Sequence, residues 1–171
     1  WIGKQAITNL ALNESSIVGD KHLEEIMNVF LESVSENNFK IALENIQETK
    51  ESVRIIASLA VSIIKLAKTG NTVALSVVQE ATHAVANYII SLTDELNYSK
   101  KHIVLAGNGS VIRNDFFRDS LNDELRFQFP DIKWIFSSIS PAYGAGILAA
   151  RLYGIDLQIG DILKGNVFAE A

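Results

Sequence analysis

The chain has 171 residues, enough for one domain of ordinary size with a substantial core. Its 48% hydrophobic and 20% charged residues are typical of a globular protein rather than a disordered one. The net charge of −5, with no cluster of Lys and Arg, argues against nucleic-acid binding. The absence of cysteine excludes disulfides, thiolate metal sites and iron–sulfur ligation.

Membrane and targeting segments are not evident in the sequence. The longest apolar stretch, residues 55–64, is too short to span a bilayer and is bracketed by Arg54 and Lys65. We recognise no signal-peptide pattern in these residues, and the cysteine-free composition leads us to expect a cytoplasmic protein. The three histidines, His22, His83 and His102, are far apart in sequence, so we do not expect a zinc site. Because the chain begins at Trp1 without a methionine, we expect it to be part of a longer protein.

The first 97 residues show the periodicity of helices. Asp20 and Asn71 are expected to cap helices at their amino ends, and Gly70 is expected to end one. Apolar residues recur at helical spacing over five segments. The predicted helices are residues 2–12, 20–34, 37–45, 48–68 and 71–96.

After Asn97 the period changes to a strand–helix–strand–helix pattern. The predicted strands are residues 103–106 and 132–136, and the predicted helices are residues 115–125 and 142–153. The two strands could pair in parallel through a right-handed crossover. Since two strands do not make a stable sheet, further strands must come from elsewhere in the parent chain or from a partner. We therefore predict an α/β protein with a helical part, residues 1–97, followed by a β-α-β-α part, residues 98–171.

The turn after the first strand is the first candidate for a binding site. The strand runs into Gly107-Asn108-Gly109-Ser110, and Asn114 then opens a helix. Such a turn brings backbone N–H groups and a helix amino terminus close to a ligand, which suits a nucleotide. The alternative is a well-made turn in which Asn114 is only a helix cap, contributing about 1 kcal/mol.

Two further junctions are rich in small residues. In Pro141-Ala142-Tyr143-Gly144-Ala145-Gly146 the small residues allow close backbone approach to a ligand, or simply close helix packing. The junction Ala67-Lys68-Thr69-Gly70-Asn71 is explained locally by helix capping. No paired carboxylates and no Ser/His/Asp set are recognisable, so the sequence offers no catalytic residue.

Four short segments, in this order, resemble motifs of one family, the N-acetylglucosamine kinase-like or BadF/BadG/BcrA/BcrD-type ATPases of the actin–Hsp70–sugar kinase superfamily. Together they look like the C-terminal lobe of such a protein and cover residues 1–155. The segments are Trp1-Ile2-Gly3-Lys4-Gln5-Ala6, Ala67-x-x-Gly70-Asn71-x-x-Ala74, Gly109-Ser110-Val111-x-x-Asn114, and Pro141-x-x-Gly144-Ala145 followed by Ile147-Leu148-Ala149.

The resemblance implies a ribonuclease H-like (actin-like ATPase) lobe that holds ATP, with Mg, in a cleft between two lobes. It places Ala67 and Gly70 on one side of the adenine. The implied residues on the other side are Gly107, Gly109, Ser110, Asn114 and Gly144. Two positions depart from the family pattern: Asn108 stands where many members have glycine, and Asn71 stands where aspartate is commoner.

The resemblance also implies that the catalytic machinery lies upstream of Trp1. The family's phosphate-binding turns and catalytic aspartate belong to that absent part, so this chain alone should not be catalytic. The leading expectation is the nucleotide-binding lobe of an ATP-dependent sugar kinase that phosphorylates N-acetylglucosamine, a hexose or a keto-deoxy sugar acid. The alternatives are an ATPase that drives a partner protein, and a helical interaction domain with a decayed nucleotide site. The amphipathic helices also leave a homodimer open.

Overall fold

A computed structural model describes residues 1–98, 101–136, 141–156 and 160 of the chain. The chain divides into two compact units, Trp1–Trp134 and Ile135–Ala171, and each is described by itself. Over the described residues the structure is α/β, 71% helical, with a two-stranded parallel sheet. The predicted class and the parallel pairing are thereby confirmed. The boundary between the two compact units falls within the second strand.

All five helices predicted in the first 97 residues are present. A short 3₁₀ turn, Glu14–Ser16, follows the first of them. The helices are α1 (Ile2–Leu12), α2 (Lys21–Val34), α3 (Phe39–Glu48), α4 (Ser52–Lys68) and α5 (Thr72–Glu95).

The predicted caps are confirmed at both ends of the α4–α5 junction. Gly70 has a φ of +96°, and the N–H groups of Gly70 and Asn71 donate to the carbonyls of Ala67 and Leu66, at 3.1 and 3.0 Å. These two bonds form the Schellman arrangement that satisfies the last carbonyls of a helix. The Asn71 carboxamide oxygen then accepts from the N–H of Ala74 at 2.9 Å and caps α5.

The Asn71 side chain also anchors α5 to α2. Its carboxamide nitrogen donates to the carbonyl of His22 and to the carboxylate of Glu25, both at 2.9 Å. Asn71 is only 2% exposed, so these bonds keep a buried amide fully satisfied. At the start of α2, Asp20 accepts from the N–H groups of His22 and Leu23, as the sequence predicts for a capping aspartate.

The strand–helix–strand part begins with β1 (His102–Gly107). A four-residue helix, α6 (Ser110–Arg113), comes before α7 (Asp115–Leu125), and β2 (Asp131–Phe136) follows. The sequence does not predict α6, because four residues are too few to show a helical period. In the second unit, α8 (Pro141–Leu152) agrees with the predicted helix. The sequence also indicates a loop at residues 138–141; Pro141 is instead the first residue of α8, and residues 138–140 lie outside the described residues.

Helix α4 lies at the centre of the core of the first unit and contacts α1, α2 and α5. Gly3 brings α1 unusually close to it. A Cβ at this position would lie 2.0 Å from the carbonyl oxygen of Ile56 and 3.1 Å from the Cβ of Leu59. Close packing of two helices therefore accounts for glycine at position 3.

No helix in the part of the chain that the structure describes, not even the 24-residue α5, contains a stretch apolar enough to cross a lipid bilayer.

Candidate functional site

The candidate site is the turn at the carboxyl end of β1. Gly107 is buried, and the backbone then emerges so that Asn108, Gly109 and Ser110 are exposed. Gly109 has φ +100° and ψ 163°, a region that essentially only glycine adopts. A Cβ at Gly109 would meet no atom within 4 Å. Glycine is therefore required here by the backbone conformation and leaves open space beside the turn.

The N–H of Gly109 does not point freely to solvent, contrary to the expectation of bare backbone donors in this turn. It donates to the side-chain oxygen of Asn108 at 2.8 Å. Within the described residues no hydrogen bond involves the amide nitrogen of Asn108, so its two N–H donors are available at the turn. The turn thus presents the Asn108 amide and the exposed Ser110, while one of its backbone donors, the Gly109 N–H, is already occupied.

Asn114 acts as the helix cap that the sequence predicts. Its side-chain oxygen accepts from the N–H of Phe117 at 3.3 Å, at the start of α7. The Arg118 guanidinium reaches back from α7 to the carbonyls of Ile112 and Arg113, at 3.5 and 3.3 Å. These contacts fix the short α6, and with it the turn, to the longer helix behind.

A pocket of about 400 Å³ opens beside this turn. Its volume is in the range of small-molecule sites, and its place at the carboxyl end of a parallel strand is where open α/β sheets bind ligands. None of its lining residues is Asp, Glu, Lys or Arg. Residues of the strand and its turn form one wall, and α5, α6 and Trp134 form others. The lining includes Val85, Ile89, Gly107, Asn108, Val111 and Trp134.

Ala67 and Gly70 do not line this pocket. Ala67 is 4% exposed and belongs to the core, and Gly70 ends α4 with a positive φ. The residues of α4 that line a second cavity, together with Val111 of α6, are Ala57 and Ala60. Ala67 lies seven residues beyond Ala60, about 10 Å farther along the helix. Core packing and the helix end account for these two small residues.

Gly144 lies on the exposed side of α8, in the second unit. A Cβ there would meet no atom within 4 Å. A larger side chain at position 144 would therefore meet no steric obstacle among the atoms described.

The titratable residues of the described part form no metal site, since no three His, Cys, Asp or Glu residues cluster there. His83 has a structural partner. Its Nδ1 lies 3.1 Å from a carboxylate oxygen of Glu124, which links α5 to α7 at the surface.

The sequence alone does not identify the residues that line the pocket opposite the turn. Val85 and Ile89 belong to the predicted apolar face of α5, and nothing local distinguishes them from core residues. Trp134 is held in place by a hydrogen bond from its indole nitrogen to the Asn122 side chain, at 2.8 Å. One signal was available: residues 81–93 of α5 contain no Asp, Glu, Lys or Arg, which is unusual for a surface helix.

No protein-family model matches this chain, and no curated protein shows significant similarity to it.

Proposed function

We propose that this chain is the nucleotide-binding C-terminal lobe of an ATP-dependent sugar kinase, with a ribonuclease H-like fold. The proposal rests on the turn at the end of β1, where the backbone conformation requires glycine at position 109. This turn borders an apolar pocket of about 400 Å³. The resemblance of the chain's four motifs, in order, to the N-acetylglucosamine kinase-like ATPases adds to this support, although the turn is itself one of the four.

The chemistry of the pocket suits the adenosine part of ATP. Apolar walls such as Val85, Val111 and Trp134 accommodate a flat, neutral ring. The Asn108 amide and the Ser110 hydroxyl supply hydrogen bonds to ring nitrogens or ribose hydroxyls. The lining contains no cation, so we assign the triphosphate to the other lobe.

Magnesium has no evident ligands among the described residues, because no carboxylate cluster is present there. We therefore assign no Mg ligand to this chain. The base that accepts the proton of the sugar hydroxyl and the groups that neutralise the γ-phosphate are likewise assigned upstream of Trp1. The acceptor is N-acetylglucosamine, a hexose or a keto-deoxy sugar acid, and the cysteine-free composition supports a cytoplasmic location.

The test is ATP hydrolysis by the natural-length protein, with and without a panel of these sugars and sugar acids. We expect one sugar to stimulate turnover and to appear as a phosphorylated product. Turnover that no sugar changes would favour an ATPase that drives a partner protein. Absence of both ATP binding and turnover would indicate an interaction domain and would contradict the proposal.

A further inference from the structure

Trp134 forms an aromatic wall of the pocket beside the β1 turn. Among the described residues, Phe117 and Trp134 are the aromatic side chains in the lining of this pocket, and Phe117 is only 4% exposed. Trp134 is half-buried and lies on β2, the strand that pairs with β1. An aromatic side chain with accessible surface is a platform on which a nucleic base can stack, whatever the identity of the base.

The position of the Trp134 ring depends on a residue outside the pocket. The indole N–H, which can only donate, bonds to the side-chain oxygen of Asn122 at 2.8 Å. Asn122 lies on α7, 12 positions before Trp134, and does not line the pocket. Because the N–H group lies in the plane of the indole, the bond occupies an edge of the ring. The bond therefore restrains the ring without occupying either of its faces.

Helix α7 also anchors a second wall of the pocket. The Arg118 guanidinium donates to the carbonyl of Ile112, which lines the pocket, and to the carbonyl of Arg113. Arg118 and Asn122 are four residues apart on α7, so they lie on the same face of this helix. One face of one helix thus holds both α6, which follows the turn, and the tryptophan of β2.

We propose that Asn122 is a positioning residue of the adenosine pocket: its bond to the indole N–H sets the orientation in which Trp134 stacks against the purine ring. A binding group that is held in one rotamer before the ligand arrives loses less conformational entropy on binding. Water can also accept a hydrogen bond from the indole, but a water molecule does not tie the ring to α7. Positioning the ring is therefore distinct from satisfying its N–H. This inference rests on the proposed function, since it names the residue that orients a wall of the same site.

The test combines two measurements on the natural-length protein: adenosine affinity by calorimetric titration, and the NMR signal of the Trp134 indole N–H, which Trp134→Phe identifies. Asn122→Ala removes the acceptor of the indole bond, whereas Asn122→Asp retains an acceptor oxygen. Asn87→Ala is the matched control, at an exposed position of α5 outside the pocket. Asn122→Leu, whose side chain has a similar shape but no acceptor, replaces Asn122→Ala if that variant does not fold.

We expect Asn122→Ala to weaken adenosine binding about fivefold and to reduce the adenosine-induced shift of the indole signal, while Asn122→Asp and Asn87→Ala stay within about twofold of the parent. In the Trp134→Phe background, which lacks the N–H, Asn122→Ala should have no further effect on affinity. If the parent binds adenosine, an unchanged affinity and signal in Asn122→Ala would overturn the positioning role alone. A loss of affinity that persists in the Trp134→Phe background would do the same. A parent that binds no adenosine would overturn the proposed function and this role together.

Discussion

Replacing Gly3 with alanine tests the closest helix contact in the molecule, and the sign of the effect is informative. Judged by helix propensity alone, Gly→Ala within a helix stabilises by about 1 kcal/mol. The structure predicts the opposite, because the new Cβ would lie 2.0 Å from the Ile56 carbonyl oxygen, where ordinary contacts begin at 3.4 Å. The α1 helix must therefore move away by more than 1 Å, and Ile2, Ala6 and Leu10 lose part of their packing.

The cost can be estimated from the overpacking of cores. An insertion into a rigid neighbour costs typically 1–3 kcal/mol, and Ile56 offers backbone rather than a flexible side chain, so we take about 3 kcal/mol. After the gain in propensity, a net destabilisation of about 2 kcal/mol remains, which lowers Tm by roughly 4–8 °C.

Thermal and urea unfolding followed by circular dichroism would measure this change. Lys4→Ala is the matched control, since Lys4 is the next residue of α1 and is exposed. We expect the control to change stability by less than about 0.5 kcal/mol. A Gly3→Ala protein as stable as the parent, or more stable, would refute the packing of α1 on α4.

Three further substitutions separate structural roles from binding roles. Asn71→Ala removes the α5 cap and the two hydrogen bonds from Asn71 to the His22 carbonyl and the Glu25 carboxylate, so we expect a loss of about 2 kcal/mol in urea unfolding. A loss below about 0.5 kcal/mol would contradict this network. Gly109→Ala forces alanine into a conformation that only glycine adopts, so we expect the free energy of unfolding to fall by about 1–3 kcal/mol in the same assay. An unchanged urea midpoint would contradict this turn geometry. Ala67→Leu overpacks the core, so we expect the free energy of unfolding to fall by about 1–3 kcal/mol while the KM for ATP is unchanged. A raised KM at normal stability would instead indicate that Ala67 lies in the nucleotide site.

Local chemistry made much of the fold predictable. Asp20, Gly70 and Asn71 mark helix ends through bonds within a few residues, and the periodicity of α4 and α5 extends over many turns. The four-residue α6 escaped prediction because it is shorter than any recognisable period. The contact of Gly3 with Ile56 joins residues more than fifty positions apart, so no local pattern could reveal it.

The candidate site was predictable only in part. The turn at 107–110 follows from its glycines and lies where a parallel strand ends. The pairing of that turn with Ala67 and Gly70 rests on the resemblance; in the structure the α4 residues that share a cavity with Val111, just after the turn, are Ala57 and Ala60. Which part of a long helix faces a turn depends on tertiary packing, which a periodic pattern does not specify. The internal bond from Gly109 to Asn108 likewise depends on a side-chain rotamer.

The central claim is that the β1 turn holds adenosine through Asn108, and calorimetric titration of the natural-length protein with adenosine tests it most directly. Asn108→Asp keeps an oxygen for the Gly109 N–H but replaces the two amide donors with a charged acceptor. Asn87→Asp makes the same chemical change on α5, outside the pocket. We predict that adenosine binds, that Asn108→Asp weakens it about tenfold, and that Asn87→Asp leaves it unchanged. No binding of adenosine, or equal affinity in all three proteins, would contradict the account.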